Sequence, residues 1–280
     1  IVTTIGGLAM LVGIILVREG TGSFRLCGML QHPPAGAMAT TAGVLFLVGA
    51  LSKSALFPFH FWLPGAMAAA TPISAYLHAA AMVKAGVYLV AVLTPILADT
   101  PWRIVISVLG AITLILGGWR ALRQDDIKLL LAYGTVSQLG FMVLLVGMGT
   151  RATTLAGLTM LITHAMFKAA LFLSVGIIDK ATGTRDLHQL SGVGRAMPVL
   201  CLTAILAAMS MAGVPPTIGF VAKESALDSL LMLTGGGGGG GTNMPPALAV
   251  LLVAAVVLGS MLTMAYSCLL YTSDAADDSL

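Results

Sequence analysis

The sequence predicts an all-α polytopic membrane protein with about eight transmembrane helices. Of its 280 residues, 58% are hydrophobic and 9% charged, with a mean hydropathy of +1.00. A soluble domain carries about 25% charged residues, so this chain has too few to cover a water-facing surface. Apolar runs also recur at the length of about 20 residues that crosses a bilayer. Finally, lysines and histidines lie inside or beside those runs, where a charge costs roughly 2.5–3.5 kcal/mol at the bilayer centre. Such residues face a bundle interior or a hydrated cavity and mark an ion or proton route.

The predicted spans lie near 1–17, 37–57, 73–97, 103–119, 129–149, 152–178, 199–234 and 246–266. The first opens on Ile1 with no basic segment ahead of it, so it reads as a span entered midway and the chain as a fragment. The second ends in Lys53 and is interrupted by Pro58 and Pro64; the third holds His78 and Lys84. The fourth is followed by Arg120 and Arg123. Asp125, Asp126 and Lys128 precede the fifth, where acids suit a helix N-terminus. The sixth carries His164 and Lys168. The seventh is too long for one straight span and is divided at Gly213-Val214-Pro215-Pro216, since proline removes a backbone donor and clashes with the preceding turn. Gly235–Gly241 reads as a flexible linker, having no Gly-Lys-Ser/Thr context for phosphate. After the eighth span, 267–280 ends in acidic residues without loop or helix logic and looks like a translated sequencing adapter. It is set apart from residues 1–266 as a non-native tail.

If eight spans alternate, the loops after the fourth and sixth share a side. They carry Arg120, Arg123, Lys128, Lys180, Arg185 and Arg195, and the positive-inside rule places both in the cytoplasm. The formal charge of +3 and the absence of a basic, aromatic-interleaved patch speak against nucleic acid. Cys27, Cys201 and Cys268 are far apart, with neither disulfide nor metal-ligand spacing. No flavin, haem or iron–sulfur pattern occurs, so neither cofactor nor metal is predicted. The 16 methionines are scattered packing residues.

The candidate chemistry is proton transfer. A lysine in low dielectric can release and regain a proton near neutral pH, and Lys53 stands beside a helix interruption; snorkelling to the interface is its structural alternative. His78 is deep in a span, where a relay is favoured. Lys84 follows six residues later, about 600° round a continuous helix, so the two do not share a face. His164 and Lys168, four apart, do share one, and neighbouring bases favour a shared or shuttled proton. Lys223 and Glu224 follow the Pro-Pro break, where unpaired backbone meets water. His60 lies in an aromatic loop and serves either as a path residue or in an interfacial belt. Lys128 stands either at the path mouth or at a solvated helix start.

Four ordered blocks carry a resemblance. SKSALFPFHFWLPGAMAAATPISAYLHAAAMVKAGVYL (52–89), ALRQDDIKLLLAYGTVSQLGFM (121–142), THAMFKAALFLSVGIIDKATGTRD (163–186) and MAGVPPTIGFVAKE (211–224) resemble the antiporter-like membrane subunits. These include the large subunits of Mrp-type cation/proton antiporters and the proton-pumping subunits of complex I. The Phe57–Met67 run, the Met82–Gly86 step and Gly176–Asp179 followed by Thr182–Asp186 look most like the large, A-type subunit of Mrp antiporters. The resemblance implies an inverted-repeat bundle with two broken helices. It also implies a proton path through Lys53, His78, Lys84, His164, Lys168 and Lys223, with Glu224 beside the last.

That resemblance further implies a monovalent cation (Na⁺)/H⁺ antiporter component that works with other subunits of a hetero-oligomer in a prokaryotic plasma membrane. The alternative it leaves is a proton-pumping subunit of complex I or of a membrane-bound hydrogenase. Against that resemblance, the family's upstream glutamate, partner of the lysine matched by Lys53, and its helices after the position of 266 lie outside this sequence, so the fragment is not expected to transport alone; Ala70 also stands where relatives often have proline or glycine.

Overall fold

The computed structural model describes residues 1–31, 33–79, 81–98, 100–190, 192–234 and 245–275, with side chains to Leu269. The predicted linker Gly235–Gly241 lies outside the described residues. Thirteen α-helices occur among them: α1 Val2–Thr21, α2 Leu26–Gln31, α3 Gly36–Lys53, α4 Trp62–Gly65, α5 Thr71–Ala79, α6 Lys84–Leu93, α7 Trp102–Ala121, α8 Ile127–Met148, α9 Arg151–Thr182, α10 Val193–Ala196, α11 Pro198–Ala212, α12 Ile218–Thr234 and α13 Pro246–Ala275. The described residues form no strand, and an isolated bridge pairs Asp126 with Asp186.

Among the described residues seven segments are long and apolar enough to cross a membrane: α1, α3, α5 with α6, α7, α8, α9 and α13 up to Leu269. The seventh predicted span, 199–234, corresponds to the broken pair α11 and α12, and the eighth to α13. α13 crosses the division expected at 266 and stays helical to Ala275. The outer helices turn large apolar residues outward, for example Leu155, Ile162, Met166 and Leu173 on α9, while His164, Lys168 and Phe172 on the same helix are buried. This polar-in, apolar-out arrangement is what a lipid solvent selects, because polar groups must find partners inside the protein.

α8 is the hub. Nearly all of it is buried, including Thr135, Ser137 and Gln138. It packs most intimately on α7 because glycines let the two backbones meet. A Cβ on Gly110 would stand 2.8 Å from the Gly140 carbonyl oxygen, and one on Gly117 2.5 Å from the Ser137 nitrogen. Small residues at such crossings substitute for a hydrophobic drive between helices that lipid does not supply. Asp126 caps α8, its Oδ1 accepting from the backbone N–H groups of Lys128 (2.7 Å) and Leu129 (3.2 Å), as its place before the span suggests.

The loops after α7 and α9 meet. Ile127 N–H donates to the Arg185 carbonyl at 3.0 Å and Leu187 N–H to that of Asp125 at 2.8 Å. The two loops therefore lie on one side of the bundle, as the alternation of spans requires. Arg185 closes the region on Asp179 at 2.8 Å, and that hydrogen bond raises the guanidinium above its ordinary pKa.

Two interruptions bear on the site. α11 ends at Ala212, Gly213 takes a left-handed φ of 82°, and α12 begins at Ile218, so the Gly-Val-Pro-Pro break stands where predicted. The third span differs from the sequence expectation. It is divided between Ala79 and Lys84, where Ala81 N–H reaches back five residues to Tyr76 O at 3.4 Å. No glycine or proline marks this break. The Ser54 hydroxyl, one residue beyond α3, donates to Val83 O at 2.6 Å, pinning the start of α6 from another helix.

Candidate functional site: a buried row of basic side chains

The break between α5 and α6 sets the geometry. Across a continuous helix His78 and Lys84 point apart; because the helix is divided, that angular argument does not apply. Both residues are within electrostatic reach of His164 on α9, as is Lys168. His78 in turn lies in the field of Lys168 and Lys128. Four helices, α5, α6, α8 and α9, thus gather Lys84, His164, Lys168, His78 and Lys128 into one neighbourhood.

Among the described residues Lys84, Lys168 and Lys128 each donate to a backbone carbonyl and pair with no carboxylate. Lys84 Nζ donates to Leu161 O at 3.1 Å, and Lys168 Nζ to Leu131 O at 3.0 Å. The Leu131 carbonyl also receives the Thr135 hydroxyl at 2.9 Å. Lys84 is 6% exposed; Lys168, His78 and His164 are fully buried. Among the described residues neither ring nitrogen of His78 or His164 has a hydrogen-bond partner. The rings pack instead on aromatics: His78 lies 5.0 Å from Phe172, and His164 stands edge-on to Phe167 at 5.2 Å. Unpaired buried imidazoles are costly, and structural histidines normally have a partner. An imidazole flanked by lysines and lacking a fixed partner can accept a proton on one nitrogen and give it up from the other.

Lys128 is fully buried, so the alternative of a solvated helix start does not hold for its side chain. Its Nζ donates to Ala69 O at 2.6 Å, which ties α8 to the chain just before α5. Lys53 ends α3 half-buried, with no hydrogen bond or ion pair to the described residues. Ser54 and Val83, the neighbours of Lys53 and Lys84, are bonded to one another, which brings the end of α3 beside the start of α6. His60 meets Phe57 (ring centroids 6.2 Å apart) and feels Arg120; burial first, then that charge, hold it below the ordinary histidine value. Lys223 reaches back across the α11–α12 break, its Nζ donating to Ala212 O at 2.9 Å, whereas Glu224 faces outward.

Among the described residues no three histidine, cysteine, aspartate or glutamate side chains gather as a metal site would need. Sequence reasoning passed over Gln138, Thr263 and Tyr266, which are buried together. The available signal was a glutamine and a tyrosine inside apolar spans.

Comparison with known proteins agrees with this architecture. A family model described as "NADH:quinone oxidoreductase/Mrp antiporter, TM" matches residues 1–235. The chain is 46% identical over 231 residues to a Rhizobium meliloti protein described as a probable K(+)/H(+) antiporter subunit, a match covering 80% of this chain and 23% of that protein. It is 43% identical over 252 residues to a Na(+)/H(+) antiporter subunit from Alkalihalophilus pseudofirmus, covering 84% of this chain and 31% of that one. A solved Mrp complex from Dietzia sp. DQ12-45-1b contains a chain of similar fold, with a TM-score of 0.86 and 42% identity over 95% of this chain and 29% of that chain. The chain spans less than a third of the length of these relatives.

Proposed function

Because the chain belongs to the NADH:quinone oxidoreductase/Mrp antiporter membrane family, we propose that it forms the proton-translocating membrane part of a multisubunit monovalent-cation/proton antiporter. It works beside partner subunits in a prokaryotic plasma membrane, and residues 1–266 are a fragment of its proton-conducting membrane domain. The observation that carries this reading is the row of buried bases, Lys84, His164, Lys168 and His78, held by backbone carbonyls and aromatic rings.

In this row a proton moves by hops between neighbouring bases. Two adjacent ammonium groups repel, so a proton arriving at Lys84 drives one from His164 or Lys168. Lys53 supplies the entry from α3, and Lys223 and Glu224, at the α11–α12 break, receive the proton at the other end. Lys128 positions the approach to α5, and His60 stands at the periphery. The row is rich in bases and poor in hard oxygen ligands, so it carries the proton and not the metal cation. As a secondary transporter it uses the inward proton gradient to drive the cation outward.

The test uses everted vesicles from a host lacking its own antiporters and expressing the full-length chain with its gene cluster, with a dye reporting the pH gradient. Added Na⁺ or K⁺ collapses the gradient in the parent and not in a Lys168→Ala complex of equal abundance. Collapse that survives in Lys168→Ala overturns the proton row. A parent without cation-dependent collapse that pumps protons during quinone reduction overturns the antiporter in favour of a redox-driven pump.

A further inference from the structure

Lys168 has a second polar neighbourhood besides the histidines. A carbon placed on Gly134 would stand 3.2 Å from Lys168 Nζ and 3.4 Å from the Tyr266 ring carbon that bears the hydroxyl. Gly134 is therefore a window between the ammonium on α9 and a tyrosine on α13. Behind it lies a buried polar cluster. Gln138 Nε2 donates to Thr263 Oγ1 at 3.0 Å and to the Tyr266 hydroxyl at 3.3 Å, and Thr263 Oγ1 donates to Gly259 O at 2.7 Å. Ser137 Oγ, donating to Leu114 O at 2.8 Å, borders the same cluster.

The cluster is fully buried but incompletely satisfied. Gln138 Oε1 is buried without a donor. Turning the amide over exchanges an orphan acceptor for an orphan donor, so either orientation leaves one amide atom calling for a group of the water type. Buried amides without a full set of partners are rare, and a bridging water is the usual answer. The Tyr266 hydroxyl accepts from Gln138 and still holds its own proton to donate. A residue serving only as packing against α8 needs no such hydroxyl.

We propose that Tyr266 and Gln138 form a side branch of the proton route, entered from Lys168 through the Gly134 window and carrying protons from α9 past α8 to α13. The inference rests on the proton row described above. The step is a hop: a Lys168 N–H bond breaks as an O–H bond forms on a bridging water, that water gives one of its own protons to the Tyr266 oxygen, and the original Tyr266 O–H bond breaks as its proton passes to a second water on the α13 side, so the lysine, the bridging water and the tyrosine all end neutral. No oxidant or reductant takes part.

The window permits a test that separates bulk from chemistry. In the full-length complex, Gly134→Ala and Gly134→Ser insert nearly the same volume, but serine restores a hydroxyl between the two groups. Cation-dependent collapse of the pH gradient is measured for both, for Tyr266→Phe and for Lys168→Ala, with assembled complex quantified by native gel. Tyr266→Phe and Gly134→Ala slow the collapse roughly tenfold, in the range typical of losing a positioned proton-transfer group, and Gly134→Ser recovers most of it. Serine as slow as alanine, or Tyr266→Phe within about twofold of wild type while Lys168→Ala is dead, overturns the branch and leaves the main row standing. A Lys168→Ala complex with normal exchange overturns the row and the branch together. Should Tyr266→Phe fail to assemble, the alanine–serine pair at Gly134 decides.

Discussion

Lys84 Nζ donates to Leu161 O at 3.1 Å, so the first residue of α6 is bonded to α9 three residues before His164. The bond crosses from a helix broken without glycine or proline to a continuous helix of 32 residues. It fixes where a proton on Lys84 stands relative to the imidazole. Both halves of the relationship matter: the ammonium must be held, and it must be able to let go.

These two demands separate in substitutions at Lys84. Lys84→Met keeps an apolar stem and removes the charge; Lys84→Arg keeps a charge that is never released in a protein. If release is required, both variants slow cation-dependent collapse of a vesicle pH gradient by roughly tenfold or more. Full activity in Lys84→Arg would reduce Lys84 to an electrostatic anchor.

His164 makes function and stability diverge. Its two nitrogens have no hydrogen-bond partner among the described residues and its ring is fully buried. His164→Leu removes an unsatisfied polar group at similar volume, so the complex is as thermally stable as wild type or gains about 1 kcal/mol. Exchange nevertheless falls to background in vesicles. A large loss of thermal stability in a melting assay of the purified complex would show that the imidazole has a structural partner.

Gly140 governs the α7–α8 contact. A Cβ there would stand 2.5 Å from the Leu114 nitrogen and 2.6 Å from Gly110 O, both backbone atoms that cannot step aside. Gly140→Val should destabilise the pair by about 1–3 kcal/mol through overpacking and lower the yield of assembled complex. Gly7, with nothing within 4 Å of its added carbon, is the control: Gly7→Ala assembles normally.

The spans were legible because lipid demands apolar runs near 20 residues, and the α11–α12 break because Gly213 and the following prolines act locally. His164 and Lys168 were legible as a pair because both sit on one uninterrupted helix. The division before Lys84 was not legible, since no glycine or proline stands there and the bond that meets it is tertiary: the Ser54 hydroxyl, just beyond α3, donates to Val83 O. The 600° separation assigned to His78 and Lys84 failed for that reason. The burial of Lys128 depends on where Ala69 lies, 59 positions away in sequence. Gln138 and Tyr266, separated by 128 positions, meet only through the packing of α8 against α13.

At the second break, strain and tether occupy the same few ångströms. Gly213 has φ 82°, its N–H donating to Met209 O at 2.9 Å to close α11, and an added carbon would stand 2.7 Å from Lys223 Cδ. Lys223 spans the break to Ala212 O. Gly213→Ala therefore carries two penalties, about 1 kcal/mol for a left-handed alanine and a clash that displaces the tether. Lys223→Ala removes the tether and costs about 1 kcal/mol for the hydrogen bond. In the double variant the clash is gone, so the combined loss should fall short of the sum by roughly 1 kcal/mol in a double-mutant cycle read by thermal melting. Proteolysis within 213–217 should rise in each single variant. Strict additivity would mean that the lysine stem does not lie against Gly213, and Lys223 would then have no fixed station at the end of the proton row.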